Sequence, residues 1–231
     1  MRRPKVAKGV RDTDPIQMCI KNKAADMIRK TFKKHGAMEI DTPVFELKET
    51  LMGKYGEEGS KLIYDIKDQG GELLSLRYDL TVPFARYCAT ENIQKIKRFH
   101  IGKVWRRDQP NFSKGRFREF HQCDIDLAGN SGVMIADSEI LTIANEVMTG
   151  LEIPNFEIKV CDRRLLEAVI EVAGANLERF KTICSSIDKL DKLPWDEVAR
   201  ELVEDKGISQ AVCDKLAPIV QNRGELNNFL F

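Results

Sequence analysis

Apolar residues recur at helical spacing through "IQMCIKNKAADMIRKTFKKHG". Asp14-Pro15 ahead of it suits an N-cap with proline in the first turn, and Gly36 supplies the stop, so the spacing predicts one long helix. "AMEIDTPVFE" follows as a short strand broken by Pro43, a residue that fits a sheet edge or strand end better than a central ladder position. "KLIYDIKDQGGELLSLRYD" alternates and reads as a hairpin with Asp68 to Gly71 as its turn. In "DLTVPFARYCATEN", Thr81 is placed as the cap and Pro83 inside the first turn of a helix running to about Glu91.

Alternation is most marked in the stretch ending at Leu127. With its halves taken as two strands, successive side chains point to opposite faces. Phe99, Ile101 and Trp105 share one parity, and His100, Gly102, Val104, Arg106 and Asp108 the other. In the second half Phe117, Cys123, Ile125 and Leu127 fall on one parity; Arg116, Arg118, Phe120, Gln122, Asp124 and Asp126 fall on the other. One face is therefore expected to be core and the other a row of donors, acceptors and a ring, with Gly102 leaving space near Arg106. A solvated outer face would also be polar, and for any single residue that plainer reading holds. As a set, Arg, Phe, Gln and Asp suit a small charged molecule carrying a flat ring. Arg106 and Gln122 stand out as ligand groups, and Asp126 is balanced between ligand and plain ion pair.

Further along, helices are expected over 136–149, 163–173, 176–187, 196–204 and 209–221, with "FEIKV" as a strand. Strands fill the middle and helices the end. This segregation predicts an α+β fold with an antiparallel sheet, divided into residues 1–174 and a helical unit at 175–231.

Composition narrows the partners. The 231 residues are 32% charged with a net charge of +1, which argues against a uniformly basic nucleic-acid surface but leaves the stretch from Lys95 to Arg118 able to meet phosphates. Cysteines 19, 88, 123, 161, 184 and 213 form no CxxC pair, and only three histidines accompany them, which argues against zinc. Such scattered cysteines, without a secretory apolar segment, read as reduced thiols of a cytosolic protein. "MRRPKVAKGVRD" is basic but too short for a convincing transit peptide, and no apolar run approaches the roughly 20 residues of a membrane helix.

"KGVRD", the long helix with "DTPVFE", "LRYDLTVPFARY", "KVWRRDQPNFSKGRFREFHQCDID" and "TICSSIDKLDK" occur in that order. Together they resemble the catalytic domain of histidyl-tRNA synthetase of the eukaryotic type, a class II aminoacyl-tRNA synthetase, over essentially the whole chain. "DLTVPFARY" followed by "GRFREFHQCD" carries the specificity. The resemblance implies a class II antiparallel sheet flanked by helices, a C-terminal helical insertion unit, and a homodimer through motif 1, residues 16–46. It also implies a cytoplasmic ligase, with the mitochondrial form open, that joins histidine to histidine tRNA using ATP with Mg²⁺.

On the matching residues, the resemblance implies that Asp79 and Thr81 hold the amino group of histidine while Gln122 and Asp126 line the amino-acid pocket. Arg106 then grips the α-phosphate beside the histidine carboxylate, Asp108 reaches the adenine amino group, Arg116 lies near the distal phosphates and Phe120 stacks on adenine. Thr81 can serve both as cap and as ligand. Lys114, in the loop Gln109 to Gly115, would meet the tRNA acceptor end.

Relatives continue past the equivalent of Phe231 into motif 3 and an anticodon-binding domain. The resemblance thus implies that these 231 residues are the N-terminal part of a catalytic domain, unable to aminoacylate alone. A second reading is a non-catalytic relative that binds histidine or uncharged tRNA, or only dimerises. The missing half favours that reading for the chain by itself. Arg106, Asp108, Arg116 and Phe120 favour the ligase, since a regulator has no need of an ATP cradle.

Overall fold

The long helix forms where the apolar spacing places it. In the computed structural model, which describes residues 3–55, 59–67 and 70–221, α1 spans Pro15–Lys34, and the Asp14 carboxylate accepts the Gln17 N–H at 2.8 Å. Beyond it Gly36 adopts φ 74°, a left-handed conformation that ends a helix at little cost for glycine. One stripe of α1 is buried: Ile28 and Phe32 pack with Ala37, Phe99 and Ile143, and the Phe32 and Phe99 rings lie 5.4 Å apart.

That stripe meets a long hairpin, β5 (Ile96–Trp105) and β6 (Glu119–Ala128), paired antiparallel from Ile96↔Ala128 to Trp105↔Glu119. Short β1 (Met38–Glu39) lies beside β5, and this pairing is parallel. A second sheet of β2 (Phe45–Leu47), β4 (Leu74–Leu76) and β3 (Asp65–Ile66) is antiparallel. Pro43 lies between β1 and β2, outside any ladder, as its missing N–H requires. The β3–β4 hairpin is present, while Asp68 and Gln69 of its expected turn lie outside the described residues. Helices α2 (Lys48–Leu51), α3 (Thr81–Thr90) and α4 (Ile135–Gly150) belong with these sheets.

Two local expectations are corrected. Thr81 does not cap α3; Asp79 does, its Oδ1 accepting the Val82 N–H at 3.1 Å, because the carboxylate two residues earlier reaches the free donor. "FEIKV" forms no strand among the described residues, and Ile158 and Val160 are exposed.

The chain divides between Ile158 and Lys159, earlier than the expected break at residue 175. The cause is α5 (Arg163–Val172), whose Ile170, with Ala173 just past its end, belongs to the second unit's core. There α5, α6 (Phe180–Ile187), α7 (Trp195–Arg200) and α8 (Gln210–Val220) enclose Ile183, Val198, Leu202 and Leu216. Leu202 lies in a π-helical turn (Glu201–Asp205) that continues α7, so the helix expected over 196–204 changes its winding at Glu201.

Leu202 is fully buried in this core, with Trp195 packed at its edge. Leu202→Ala is expected to destabilise the helical unit by about 2–5 kcal/mol, read as a lower denaturant midpoint in Trp195 fluorescence. An unchanged midpoint would contradict the packing.

Candidate active site

The hairpin register sets four cross-strand pairs on one face: Arg98↔Asp126, His100↔Asp124, Gly102↔Gln122 and Val104↔Phe120. Side chains opposite each other in an antiparallel pair are close enough to interact directly. The division by parity is as the alternation implies, but this face is not open along its length. Arg98, His100, Gly102 and Val104 are all buried, because α3 and the segment around Arg77 cover that end.

Arg98 is fully buried. Its Nη2 donates to the Leu80 carbonyl at 3.0 Å, and its guanidinium lies 4.3 Å from the Phe84 ring. The same Nη2 is 2.5 Å from Asp126 Oδ2, a contact of opposite charges without the alignment of a hydrogen bond. Burial pulls the Arg98 pKa down and pushes those of Asp126 and Asp124 up, while the attraction between Arg98 and these acids opposes both trends.

Gly102 has a different role from the one expected. A Cβ there would stand 2.8 Å from Arg77 Nη2 and 2.8 Å from His100 Nε2, so the missing side chain makes room for Arg77 and His100 rather than for a ligand beside Arg106. Arg77 is tied down by its Nε to the Lys103 carbonyl at 2.8 Å and its Nη1 to the Thr42 carbonyl at 2.7 Å. His100 Nε2 lies 2.9 Å from Asp41 Oδ1.

Arg106 stands where the face opens. Its Nε donates to the Tyr78 carbonyl at 3.2 Å, and its guanidinium lies 4.3 Å from the Tyr78 ring and 5.1 Å from the Phe120 ring. A cation held near two rings and by one Nε hydrogen bond keeps its Nη donors available. Next to Tyr78 in the chain, Asp79 Oδ1 accepts the Tyr55 hydroxyl at 2.9 Å as well as the Val82 N–H. Gln122 and Asp126 occupy the same strand face, half-buried, and the buried Gln122 Oε1 and Asp126 Oδ2 have no hydrogen-bond donor. Asp126 Oδ2 already faces the Arg98 guanidinium, so Gln122 Oε1 is the acceptor left for a ligand's N–H group.

The other expected site residues are exposed. Thr81 is exposed at the start of α3. Asp108 is exposed, its Oδ1 accepting the Gln109 N–H at 2.8 Å. Arg116 is exposed at the loop's end, its backbone paired with Asn111. Residues not singled out from the sequence, Tyr55, Tyr78, Arg77, Arg98 and His100, do much of the holding. Arg98 could have been found by extending the parity of Arg106 backwards; Tyr55 had no such signal, because it comes from a turn in a different part of the chain. A concavity of about 930 Å³ opens elsewhere, on the other parity near Lys103, Glu119 and His121, and shares only Phe120 with the expected site.

Comparison with known proteins adds a family. Residues 9–230 match the family model described as Histidyl-tRNA synthetase. A Takifugu rubripes protein named cytoplasmic histidine–tRNA ligase is 56% identical over 223 residues, which cover 96% of this chain and 43% of that protein. The Homo sapiens mitochondrial histidine–tRNA ligase is 53% identical over 220 residues, covering 95% of this chain and 43% of the relative. The crystal structure of histidyl-tRNA synthetase from Nostoc sp. PCC 7120 superposes with a TM-score of 0.83 at 26% identity, over 99% of this chain and 51% of that one. The chain thus spans less than half the length of these curated relatives.

His100 yields a pH prediction. Burial lowers its pKa, the nearby Arg77 and Arg98 lower it further, and Asp41 opposes them. The unfolded chain then binds the proton more tightly than the folded one, so stability is lost as pH falls below about 6.5, the ordinary histidine value. His100→Gln is expected to flatten unfolding free energy against pH between pH 7 and 5 by up to about 1.4 kcal/mol per pH unit. A variant with the wild-type slope would overturn this assignment.

Proposed function

The chain belongs to the histidyl-tRNA synthetase family, and from that membership we propose that it supplies the histidine-activating face of a histidine–tRNA ligase. The observation that carries the reading is Arg106, held between the Tyr78 and Phe120 rings on the strand face of Gln122 and Asp126, with Asp79 adjacent to Tyr78. A cation, acceptors and a ring on one strand face support a site for a charged amino acid and a nucleotide.

In the reaction, a histidine carboxylate oxygen attacks the α-phosphorus of ATP, the bond to the β-phosphate oxygen breaks, and pyrophosphate leaves with that electron pair. A carboxylate is already a nucleophile at neutral pH, so this step needs alignment and charge stabilisation rather than a general base. Arg106 meets the charge growing on the α-phosphate. Asp79 and Thr81 accept from the ammonium, and Gln122 and Asp126 face the rest of the amino acid. Phe120 stacks on adenine, Asp108 accepts from its amino group, and Arg116 approaches the distal phosphates. Among the described residues no group of three or more His, Cys, Asp or Glu side chains is arranged to hold a metal ion; Mg²⁺ is read as arriving with the triphosphate.

In the second step a hydroxyl of the terminal tRNA ribose attacks the acyl carbon and AMP leaves. Lys114, on the exposed loop, is read as meeting the acceptor end through phosphate contacts. The helical unit is read as the family's insertion. The proposed compartment is the cytoplasm, and the mitochondrial relative marks the alternative.

A chimera tests the reading: residues 9–230 replace the matching segment of the Takifugu ligase, and histidine-dependent ATP–pyrophosphate exchange is measured. Exchange is expected. Arg106→Ala in the chimera should slow it about 100-fold or more, the scale of losing one preorganised donor at a developing charge. An inactive but folded chimera, or near-normal exchange by the variant, would sink the proposal.

Assembly is proposed on the same basis. Ile16, Ile20, Met38, Val44 and Phe45, on or beside α1, β1 and β2, are exposed apolar residues, and the family's motif 1 pairing would cover them as an isologous two-fold contact. Sedimentation at micromolar concentration is expected to give a dimer that Ile16→Asp with Ile20→Asp dissociates. A folded wild-type monomer would refute the pairing.

A further inference from the structure

Tyr55 lies in the turn after α2, half-buried and well outside the motifs that carry the site. It makes two contacts of different kinds. Its hydroxyl is 2.9 Å from Asp79 Oδ1, and its ring is 4.6 Å from the Tyr78 ring at 45°. Tyr78 and Asp79 are consecutive, and each serves one end of the proposed substrates: Asp79 the ammonium, Tyr78 the arginine that meets the phosphate.

We propose that Tyr55 is a positioning residue for both ends of the activation site, its hydroxyl orienting the Asp79 carboxylate for an α-ammonium and its ring bracing Tyr78 beneath Arg106. The inference rests on the reading of Asp79 and Arg106 as substrate groups, and deepens it.

At the ammonium end, Asp79 Oδ1 already accepts the Val82 N–H at 3.1 Å. Two donors on one oxygen fix the plane of the carboxylate and leave Oδ2 as the acceptor for substrate. Val82 alone would leave the group free to rotate about a single bond. Burial, and then the charge of Asp79 and its hydrogen bond, push the Tyr55 pKa well above its ordinary value. The hydroxyl therefore keeps its proton and remains a donor at any pH where the enzyme works.

At the phosphate end, Tyr78 holds Arg106 twice, by its ring at 4.3 Å and by its carbonyl at 3.2 Å from Nε. The Tyr78 ring also packs against Tyr55, so support for Arg106 passes from Tyr55 through Tyr78. Loss of the hydroxyl should therefore affect only ligands with an ammonium. Loss of the ring should reach the phosphoryl step as well.

The test compares two ligands on the complete protein by calorimetry: histidine, and imidazolepropionate, which is histidine without its α-ammonium. Tyr55→Phe is expected to weaken histidine about 10-fold, the scale of a hydrogen bond to a charged group, and to leave imidazolepropionate binding as in wild type. Tyr55→Leu, which removes the ring as well, is expected to lower kcat for pyrophosphate exchange at least about 10-fold below that of Tyr55→Phe. Equal weakening of both ligands by Tyr55→Phe would mean that Tyr55 only supports the fold, and would overturn the inference, as would no weakening of either. Wild-type protein that binds histidine no better than imidazolepropionate would instead remove Asp79 as the ammonium group, overturning the underlying reading and this inference with it.

Discussion

The buried guanidinium of Arg98 is the constraint on which the site depends. A charge taken out of water costs several kcal/mol unless it is paired and hydrogen-bonded, and Arg98 recovers part of that cost from three directions, Asp126 on β6, the Leu80 carbonyl ahead of α3 and the Phe84 ring on α3, while its buried Nε and Nη1 find no acceptor. These partners belong to the two elements that carry the proposed histidine-binding residues. Asp79 and Thr81 stand on either side of Leu80, and Gln122 is one strand step short of Asp124 and two short of Asp126 on the same face. The Arg98 contacts therefore tie the start of α3 to β6.

The arrangement gives Asp126 two loyalties. It balances Arg98, and its Oδ2 still lacks a hydrogen-bond donor. Removing its charge would leave Arg98 buried without its main counterpart, a change that costs about 3–5 kcal/mol in comparable pairs. A defect in an Asp126 variant would thus combine lost structure with lost binding. Arg106 is a cleaner probe, because its charge rests on rings and a carbonyl rather than on an acid whose balance would be upset. The two arginines share one strand parity and differ in what lies over them: α3 residues cover Arg98, whereas Arg106 lies past the end of β5 where that cover stops.

Legibility from sequence followed the range of the interactions. Period-two alternation is local, so the division of β5 and β6 into faces could be read directly, along with α1 and its caps. The depth of Arg98 and His100 could not, since it depends on α3 and on Arg77, residues remote in sequence. Gly102 shows the limit well. Its smallness was readable and its purpose was not, because Arg77, which fills the space, arrives from 25 positions earlier in the chain. Thr81 was favoured as a cap on residue type, yet Asp79 wins by geometry. "FEIKV" has strand composition yet is not a strand among the described residues, and propensity alone does not make a ladder.

The hairpin loop shows how a short N-terminal motif acquires a physical role. Gly9 of "KGVRD" accepts the Arg118 N–H at 2.7 Å in a conformation with φ 85°, and a Cβ there would stand 2.7 Å from the Arg118 side chain. Only glycine meets both demands, the left-handed backbone and the close approach. Arg118 in turn donates from Nε to the Asp108 carbonyl at 3.0 Å, and the Arg11 guanidinium lies 4.4 Å from the Phe117 ring. The loop is thus fastened at its base on both strands, while its tip from Asn111 to Arg116 stays exposed. A fastened base keeps Arg106 and Phe120 in register whatever the tip does. The exposed tip can then change its conformation without disturbing the fastened base.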